Sequence, residues 1–183
     1  MTHSVFTIRK ATRKDIDPLN TLIGRSARAL STGFYTPAQL EAVTREVFGV
    51  DTQLIDDGTY YVAEYDGAMA ACGGWGMRST GCGGDQHKTA GERLLDPALE
   101  AAKIRAFFVA PHMARRGIGT LLMAHCEAAA AAAGFRELEM IATMPGVPLY
   151  LKLGFALVER FDLALSVPVP VALMRRPVHV IPT

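Results

Sequence analysis

The segment Val109–Gly119 constrains this chain most, because it runs from a buried strand through a glycine-containing turn into a helix, V-A-P-H-M-A-R-R-G-I-G. The first N–H groups of a helix have no intrahelical acceptor and lie at the positive end of the helix dipole. Gly117 and Gly119 carry no Cβ, so ligand oxygens can approach their backbone closely. Arg115 and Arg116 can add charge-assisted hydrogen bonds. The segment therefore predicts a site for phosphate or pyrophosphate.

Two nucleotide-binding turns are a poor match to this segment. In the G-x-G-x-x-G pattern of dinucleotide folds, the third glycine would fall at Leu122. A P-loop would need Gly-Lys followed by Ser or Thr, and the segment has no such sequence. A helix start loosened by glycine, with two solvated arginines, is the alternative interpretation. The strand, turn and helix in succession favour the anion site over that alternative.

Length and composition predict one soluble domain over residues 1–183. The chain has 183 residues, half of them hydrophobic, and 19 basic against 18 acidic side chains. The resulting net charge of +1 predicts neither a nucleic acid nor a membrane as a partner. There is no apolar run of the length of a signal peptide or a membrane span. Three cysteines without a CxxC spacing predict reduced thiols and a cytoplasmic location.

The hydrophobic patterns predict a mixed order of strands and helices. One helix begins either at Thr12, answered by Asp15, or at Asp17 followed by Pro18, and the sequence leaves both open. A second begins at Thr36 with a capping box and is predicted to end at Gly49. Strands are predicted at 5–9, 59–64, 68–72, 104–109, 137–143, 157–165 and 169–174, and further helices at 118–133 and 148–153.

Three further patterns refine this prediction. Asp66-Gly67 predicts a hairpin turn. Gly73–Gly76 is expected to loosen the strand pattern after the predicted strand 68–72. In the helix after Gly117, Ile118, Leu121, Leu122 and His125 are expected on one face. The segment 78–97 is predicted to be a long loop, left open as ordered or as a lid. Together these elements favour an α/β or α+β fold around one sheet.

Two separated segments resemble the GNAT superfamily of N-acetyltransferases. Val109–Leu122 is similar to the family's Q/R-x-x-G-x-G/A turn, and Tyr150–Phe155 is similar to its Y-x-x-x-G-F segment. The chain departs from the family pattern in three places. Ala114 stands at the first position of the turn, Thr143-Met144-Pro145 stands where an asparagine is common, and the strand before the turn has Lys103 and Arg105 where some members have an acidic residue.

The resemblance implies a GNAT-like fold, a mixed and mostly antiparallel central sheet flanked by helices, with acetyl-CoA as cosubstrate. The pantetheine arm would lie beside the strand that ends Phe107-Phe108-Val109, and the pyrophosphate over the N–H groups from Arg115 to Thr120. Tyr150 would assist the thiolate leaving group. The implied cosubstrate-binding residues are Phe107, Phe108, Val109, Ala114, Arg115, Arg116, Gly117, Ile118, Gly119 and Thr120.

The function implied is N-acetyl transfer to a primary amine of a small molecule or peptide; the alternative is a non-catalytic acyl-CoA-binding or protein-interaction module. A homodimer is left open. Phe34, Tyr35 and Trp75 are candidates for binding the acceptor, with ordinary packing as the alternative. No metal site is predicted, since Cys82 and His87 alone are a weak ligand set. No general base is evident, and the carboxylates considered are Glu41, Glu64 and Glu100. A water chain, or capture of the minor neutral form of the amine, is left open as an alternative.

Overall fold

The computed structural model describes residues 6–88 and 92–179. Val5 and the two ends of the predicted 1–183 domain lie outside the described residues. The strands are β1 (Phe6–Lys10), β2 (Tyr60–Tyr65), β3 (Ala68–Gly76), β4 (Ala102–Val109), β5 (Glu137–Thr143), β6 (Ala156–Ala164) and β7 (Pro168–Pro177). The helices are α1 (Ile16–Leu30), α2 (Pro37–Glu46), α3 (Thr52–Asp56), α4 (Ile118–Ala132) and α5 (Val147–Lys152).

The strands form one sheet in the order β1-β2-β3-β4-β5-β7-β6. Neighbouring strands are antiparallel except for β4 and β5, so the predicted mixed, mostly antiparallel sheet is confirmed. The parallel pair is short, with Ala102 opposite Leu138 and Lys103 opposite Glu139. Beyond these two residue pairs β4 and β5 separate, which opens a wedge in the middle of the sheet.

A β-bulge interrupts the pairing of β3 with β4 beside this wedge. Gly74 lies opposite Arg105 and Cys72 opposite Phe108, so one residue of β3 faces two of β4. Ala106 absorbs the bulge with a positive φ of 54°. The expectation that Gly73–Gly76 loosens the strand is wrong, because β3 continues to Gly76. Glycine is needed at 73 because a Cβ there would lie 2.6 Å from the Phe107 ring.

Helices cover both faces of the sheet. Helix α1 contacts β3 and β4, and α4 contacts β2, β3 and β4. Successive strand residues face opposite sides of a sheet. On β4, Val109 lies beside Gly119 of α4, whereas Phe108 packs against Phe48 directly after α2, so α4 and α2 lie on opposite faces. Helix α2 packs on α1 and on β7, which places it on the α1 face. No helix in the described ranges is both long and apolar enough to cross a membrane.

The helix ends follow their capping groups with one correction. Thr12, the first of the two predicted starts, caps a 3-10 turn at Arg13–Asp15 that leads directly into α1 at Ile16, and its N–H donates to the Asp15 carboxylate at 2.7 Å. Helix α2 begins at the predicted Thr36 capping box. It ends at Glu46 rather than at Gly49, and a short connection leads to the unpredicted α3, which is capped by Asp51.

Helix α4 buries a stripe that differs from the predicted one. Leu121 and His125 are exposed, and the His125 ring meets Tyr61 edge-on with centroids 4.5 Å apart. The buried stripe is shifted along the helix surface, so that Met123 and Cys126 are buried instead of Leu121 and His125. Its buried members are Ile118, Gly119, Leu122, Met123, Cys126 and Ala130.

Candidate active site

The turn before α4 has the open geometry that an anion site requires. Gly117 is the N-cap residue of α4, with a φ of 83°. Arg115 is also in the left-handed region, with a φ of 64°. Among the described residues, a Cβ on Gly117 would meet no atom within 4 Å, so the turn is open beside the first N–H groups of α4. These groups, on Ile118, Gly119 and Thr120, have no acceptor within the helix.

The second glycine of the turn has a packing role. A Cβ on Gly119 would lie 3.3 Å from Leu149 and 3.9 Å from Val109. Gly119 is therefore where α4 passes closely between the end of β4 and α5. This contact ties the turn to the helix that carries Tyr150.

The wedge between β4 and β5 is a cleft open to solvent, and the empty space within its envelope, solvent included, is about 700 Å³. Its β4 wall includes Phe107 and Phe108, two of the residues predicted to bind the cosubstrate. Along this wall, within the part of the chain that the structure describes, the edge of β4 that faces β5 has no strand partner beyond Lys103. Unpaired backbone of this kind can bind an extended chain carrying amide groups, as a further strand would.

Tyr150 lies on α5 and lines the same cleft. The residue is 8% exposed and packs edge-on against Phe155. Burial raises the pKa of the Tyr150 hydroxyl above its ordinary value, with the Cys126 thiol as a smaller cause. The hydroxyl therefore stays protonated at neutral pH and can act as a hydrogen-bond donor.

The segment Gly81–Gly84 forms another wall of the cleft, which no sequence pattern indicated. The Gly84 N–H donates to the Val47 carbonyl at 2.8 Å. Arg105, on β4, donates to the Gly83 carbonyl and forms an ion pair with Asp51 at 2.7 Å. Both partners of this pair are buried, which makes it costly to break from one side. The concentration of glycine in 73–84 is the only sequence signal that could have drawn attention to this wall.

Of the residues predicted to bind the acceptor, none lines the cleft. Phe34 is 47% exposed in the loop between α1 and α2. The Tyr35 hydroxyl accepts from the Met144 N–H and donates to the Pro170 carbonyl, both at 2.9 Å. Trp75 is buried in the core against Phe135. Tyr35 thus connects three parts of the fold, and Trp75 fills the core.

The carboxylates considered as general bases are engaged elsewhere. Glu64 pairs with Arg9 at 2.9 Å, Glu100 with Arg93 at 2.5 Å, and Glu41 with Arg45 at 3.5 Å. The cleft lining includes none of the three. Cys82 does line it, and burial raises the pKa of its thiol. Within residues 6–88 and 92–179, no three His, Cys, Asp or Glu side chains come together as a metal site.

Comparisons with known proteins identify this architecture. The model of the acetyltransferase (GNAT) family matches residues 26–155. A search of curated protein sequences found no match. Among solved structures, a GCN5-related N-acetyltransferase from Rhodopseudomonas palustris superposes with a TM-score of 0.71 at 18% identity, over 97% of this chain and 98% of that one.

Two further structures of the same fold were solved with coenzyme A. The PaiA N-acetyltransferase of Thermoplasma acidophilum gives a TM-score of 0.65 at 15% identity, over 94% of this chain and 99% of that one. N-acetylglutamate synthase from Neisseria gonorrhoeae, which also contains N-acetyl-glutamate, gives 0.60 at 18% identity, over 98% of this chain and 36% of that one. At these identities the likeness shows the fold.

Proposed function

Because the chain belongs to the GNAT acetyltransferase family, we propose that it transfers the acetyl group of acetyl-CoA to a primary amine of a small molecule or peptide. Acetyl transfer, with acetyl-CoA as cosubstrate, is the activity of the family. The observation that carries the proposal is the joint position of three parts at the carboxyl end of β4. The open turn follows directly from the end of β4, where Gly119 lies against Val109 and Leu149, and Tyr150 lines the cleft beside the unpaired edge of β4.

The residues present fit the cosubstrate. Its pyrophosphate would lie over the N–H groups from Arg115 to Thr120, where the left-handed Gly117 leaves space. Its pantetheine amides would bind the free backbone edge at Phe107–Val109. Ala114, at the first position of the turn, supplies backbone alone. The exposed side chains of Arg115 and Arg116 supply the positive charge.

The proposed chemistry is direct attack of the neutral amine on the thioester carbonyl. The N–C bond forms, the C–S bond breaks and the sulfur leaves as a thiolate, while the amine loses one proton to water. Holding both reactants in the cleft supplies proximity. A backbone N–H on the free edge of Phe107–Val109 stabilises the oxyanion, and the Tyr150 hydroxyl donates a hydrogen bond to the departing sulfur.

The raised pKa of Tyr150 favours one of two roles for its hydroxyl. A free thiol has a pKa of ~8.5 and an ordinary tyrosine ~10. Burial raises the pKa of Tyr150 further above that of the thiol, so complete proton transfer to the thiolate is uphill. Hydrogen-bond donation is therefore the role that we assign to Tyr150.

Calorimetry with acetyl-CoA tests the binding half of the proposal. Replacing the exposed Arg116 by Ala removes one charge beside the turn. We expect acetyl-CoA to bind about 10-fold more weakly, with the difference shrinking at high salt. Arg136→Ala is the matched control, since Arg136 is an exposed arginine beyond the other end of α4. Equal losses in both variants, or no acetyl-CoA binding to the wild type, would reject the proposed site.

The second candidate is a non-catalytic acyl-CoA-binding or protein-interaction module. The observation that favours it is the absence of a carboxylate from the cleft lining among the described residues. This candidate predicts acetyl-CoA binding without amine-dependent release of free thiol. The homodimer and the cytoplasmic location stay predictions from the sequence.

A further inference from the structure

The part of the cleft that faces α2 is a chamber, which we call the acceptor chamber. One side is formed by Val43, Val47 and Phe48, in α2 and directly after it. Leu163 on β6 and Val171 on β7 line the same part of the cleft, where Leu163 packs on the apolar cluster of α2. The chamber lies on the α1 face of the sheet, whereas the phosphate turn opens α4 on the other face. A cosubstrate held at the turn would therefore reach the acceptor chamber with its thioester end.

The acceptor chamber has aromatic and aliphatic walls. The rings of Phe48 and Phe108 meet edge-to-face with centroids 5.1 Å apart. The Gly81–Gly84 segment contributes one side chain among four residues, that of Cys82. It packs closely against β5, because a Cβ on Gly81 would lie 3.1 Å from Ile141. Three glycines thus close the chamber without filling it.

The charge in the cleft lining is already compensated. Arg105 is the one charged residue that lines it among the described residues. Its guanidinium is 4% exposed and engaged by Asp51 and by the Gly83 carbonyl. Lys88 adds a second cation to Asp51, at 2.6 Å. No side-chain carboxylate is left to face the chamber, and the sequence outside residues 6–88 and 92–179 contains no Asp or Glu.

These walls discriminate between classes of amine. An ammonium group that enters an apolar site without a counter-charge loses its hydration and gains no ion pair. A monoamine avoids this cost by binding in its neutral form, which burial favours and which is the nucleophile that the reaction needs. A polyamine or an aminoglycoside would have to bury or neutralise every further ammonium group.

We propose that the acceptor is a small primary monoamine on an apolar body, an alkyl or arylalkyl amine, with its apolar part in the acceptor chamber. This inference rests on the proposed acetyl transfer and names the substrate class of that same site. The chamber then replaces a general base in part, since it selects the unprotonated amine.

The test compares phenethylamine with 1,4-diaminobutane as acceptors. We expect kcat/KM for phenethylamine to be higher by at least about 10-fold. Leu163→Asp places a carboxylate in the half-buried wall and should lower this ratio by about 10-fold or more. Leu157→Asp is the matched control, because Leu157 lies on the same strand, is 42% exposed and does not line the cleft. Thr143→Asp, which is nearly isosteric on the β5 wall, serves if Leu163→Asp does not fold.

Binding to the protein saturated with coenzyme A, measured by calorimetry, gives a readout that does not need turnover. The inference is supported if phenethylamine binds more tightly than the diamine and the aspartate variant reverses the order. It is overturned if the diamine is preferred by the wild type, or if both folded aspartate variants keep the wild-type ratio. Preferred binding of phenethylamine without thiol release would reject acetyl transfer while leaving the character of the chamber intact.

Discussion

Burial of Tyr150 favours the protonated form of its hydroxyl, which can then act as a hydrogen-bond donor. Because its pKa is raised, the hydroxyl stays protonated throughout the neutral range and into the alkaline range. The rate should therefore rise with pH as the amine loses its proton, with no falling limb from Tyr150 below about pH 10. A falling limb near pH 8 that disappears in Tyr150→Phe would instead make the tyrosine a true proton donor.

Tyr150→Phe removes one hydroxyl and keeps the ring against Phe155. We expect kcat to fall by about 100-fold, the low end for proton-donating groups, with acetyl-CoA affinity unchanged. Tyr65→Phe is the control, since Tyr65 lies on β2 away from the cleft lining. Full turnover of Tyr150→Phe in an assay limited by chemistry would remove the hydroxyl from the mechanism.

Gly117 allows both a positive φ and open space before α4, and a single substitution by alanine would affect both. Alanine at this position would be strained by the φ of 83° and would also place a methyl group in the space before α4. We expect Gly117→Ala to lower stability by about 1 kcal/mol and to weaken acetyl-CoA binding. Gly33→Ala separates the two effects, because Gly33 has a φ of 84° and equally open surroundings in the α1–α2 loop.

Calorimetry and urea unfolding of both variants measure the two effects. Gly33→Ala should lose stability alone, with wild-type affinity for acetyl-CoA. If Gly117→Ala also keeps wild-type affinity, the space before α4 does not receive the pyrophosphate.

Single residues differed in how far the sequence revealed their place. Tyr150 could be singled out because it begins the Y-x-x-x-G-F segment, which ends at Gly154 and Phe155. Trp75 and Tyr35 could not, since an aromatic side chain packs equally well in a core or a cleft. The core position of Trp75 follows from the register of β3. The Tyr35 hydroxyl forms hydrogen bonds with the backbone of Met144 and Pro170, which are distant from it in sequence.

Ion pairs stabilise the elements of the fold as well as packing does, and one example lies directly before α1. Arg9 on β1 binds the Asp15 carboxylate with two hydrogen bonds of 2.8 and 2.9 Å. This interaction holds the pKa of Asp15 well below its ordinary value. A lowered carboxyl pKa stabilises the fold fully above the unfolded pKa of ~3.9, and the contribution is lost as pH falls below it.

Asp15→Asn should therefore destabilise the protein in a pH-dependent way. At pH 7 we expect a loss of about 1–3 kcal/mol in the free energy of unfolding. The difference from wild type should shrink as pH falls from about 4 toward the lowered pKa. Urea unfolding at both ends of this range measures it, with the exposed Asp17→Asn as control. An equal loss at both pH values would show that the charge of Asp15 is not the stabilising factor.

Among the elements, those with local signals were predicted and those set by neighbours were not. The Thr36 capping box and the Asp66-Gly67 turn encode their own geometry within four residues, and both are confirmed. The end of α2 depends on where α3 begins, which a helix-stop glycine at 49 does not reveal. The continuation of β3 through Gly73–Gly76 depends on the bulge at Ala106, in a strand about thirty residues later in the chain.

At the scale of the whole molecule, the cleft arises from a relation between strands that no single segment contains. The sequence predicts β4 and β5 as strands but not the point at which they separate, since register is set by the complete sheet. The Gly81–Gly84 wall depends on Arg105 and Asp51, which lie on different elements. The family resemblance supplied the cosubstrate, whereas the character of the acceptor chamber is visible in three dimensions alone.

Acetyl-CoA labelled with ¹³C in its acetyl group tests the central claim most directly. Incubated with the protein and phenethylamine, it should yield the labelled N-acetyl amide, seen by mass spectrometry, in step with free thiol. Omitting the protein or the amine should abolish the amide. The account is contradicted if acetyl-CoA binds but the label stays in the thioester or appears as acetate alone, with no labelled amide from phenethylamine or from any of a broad set of amines.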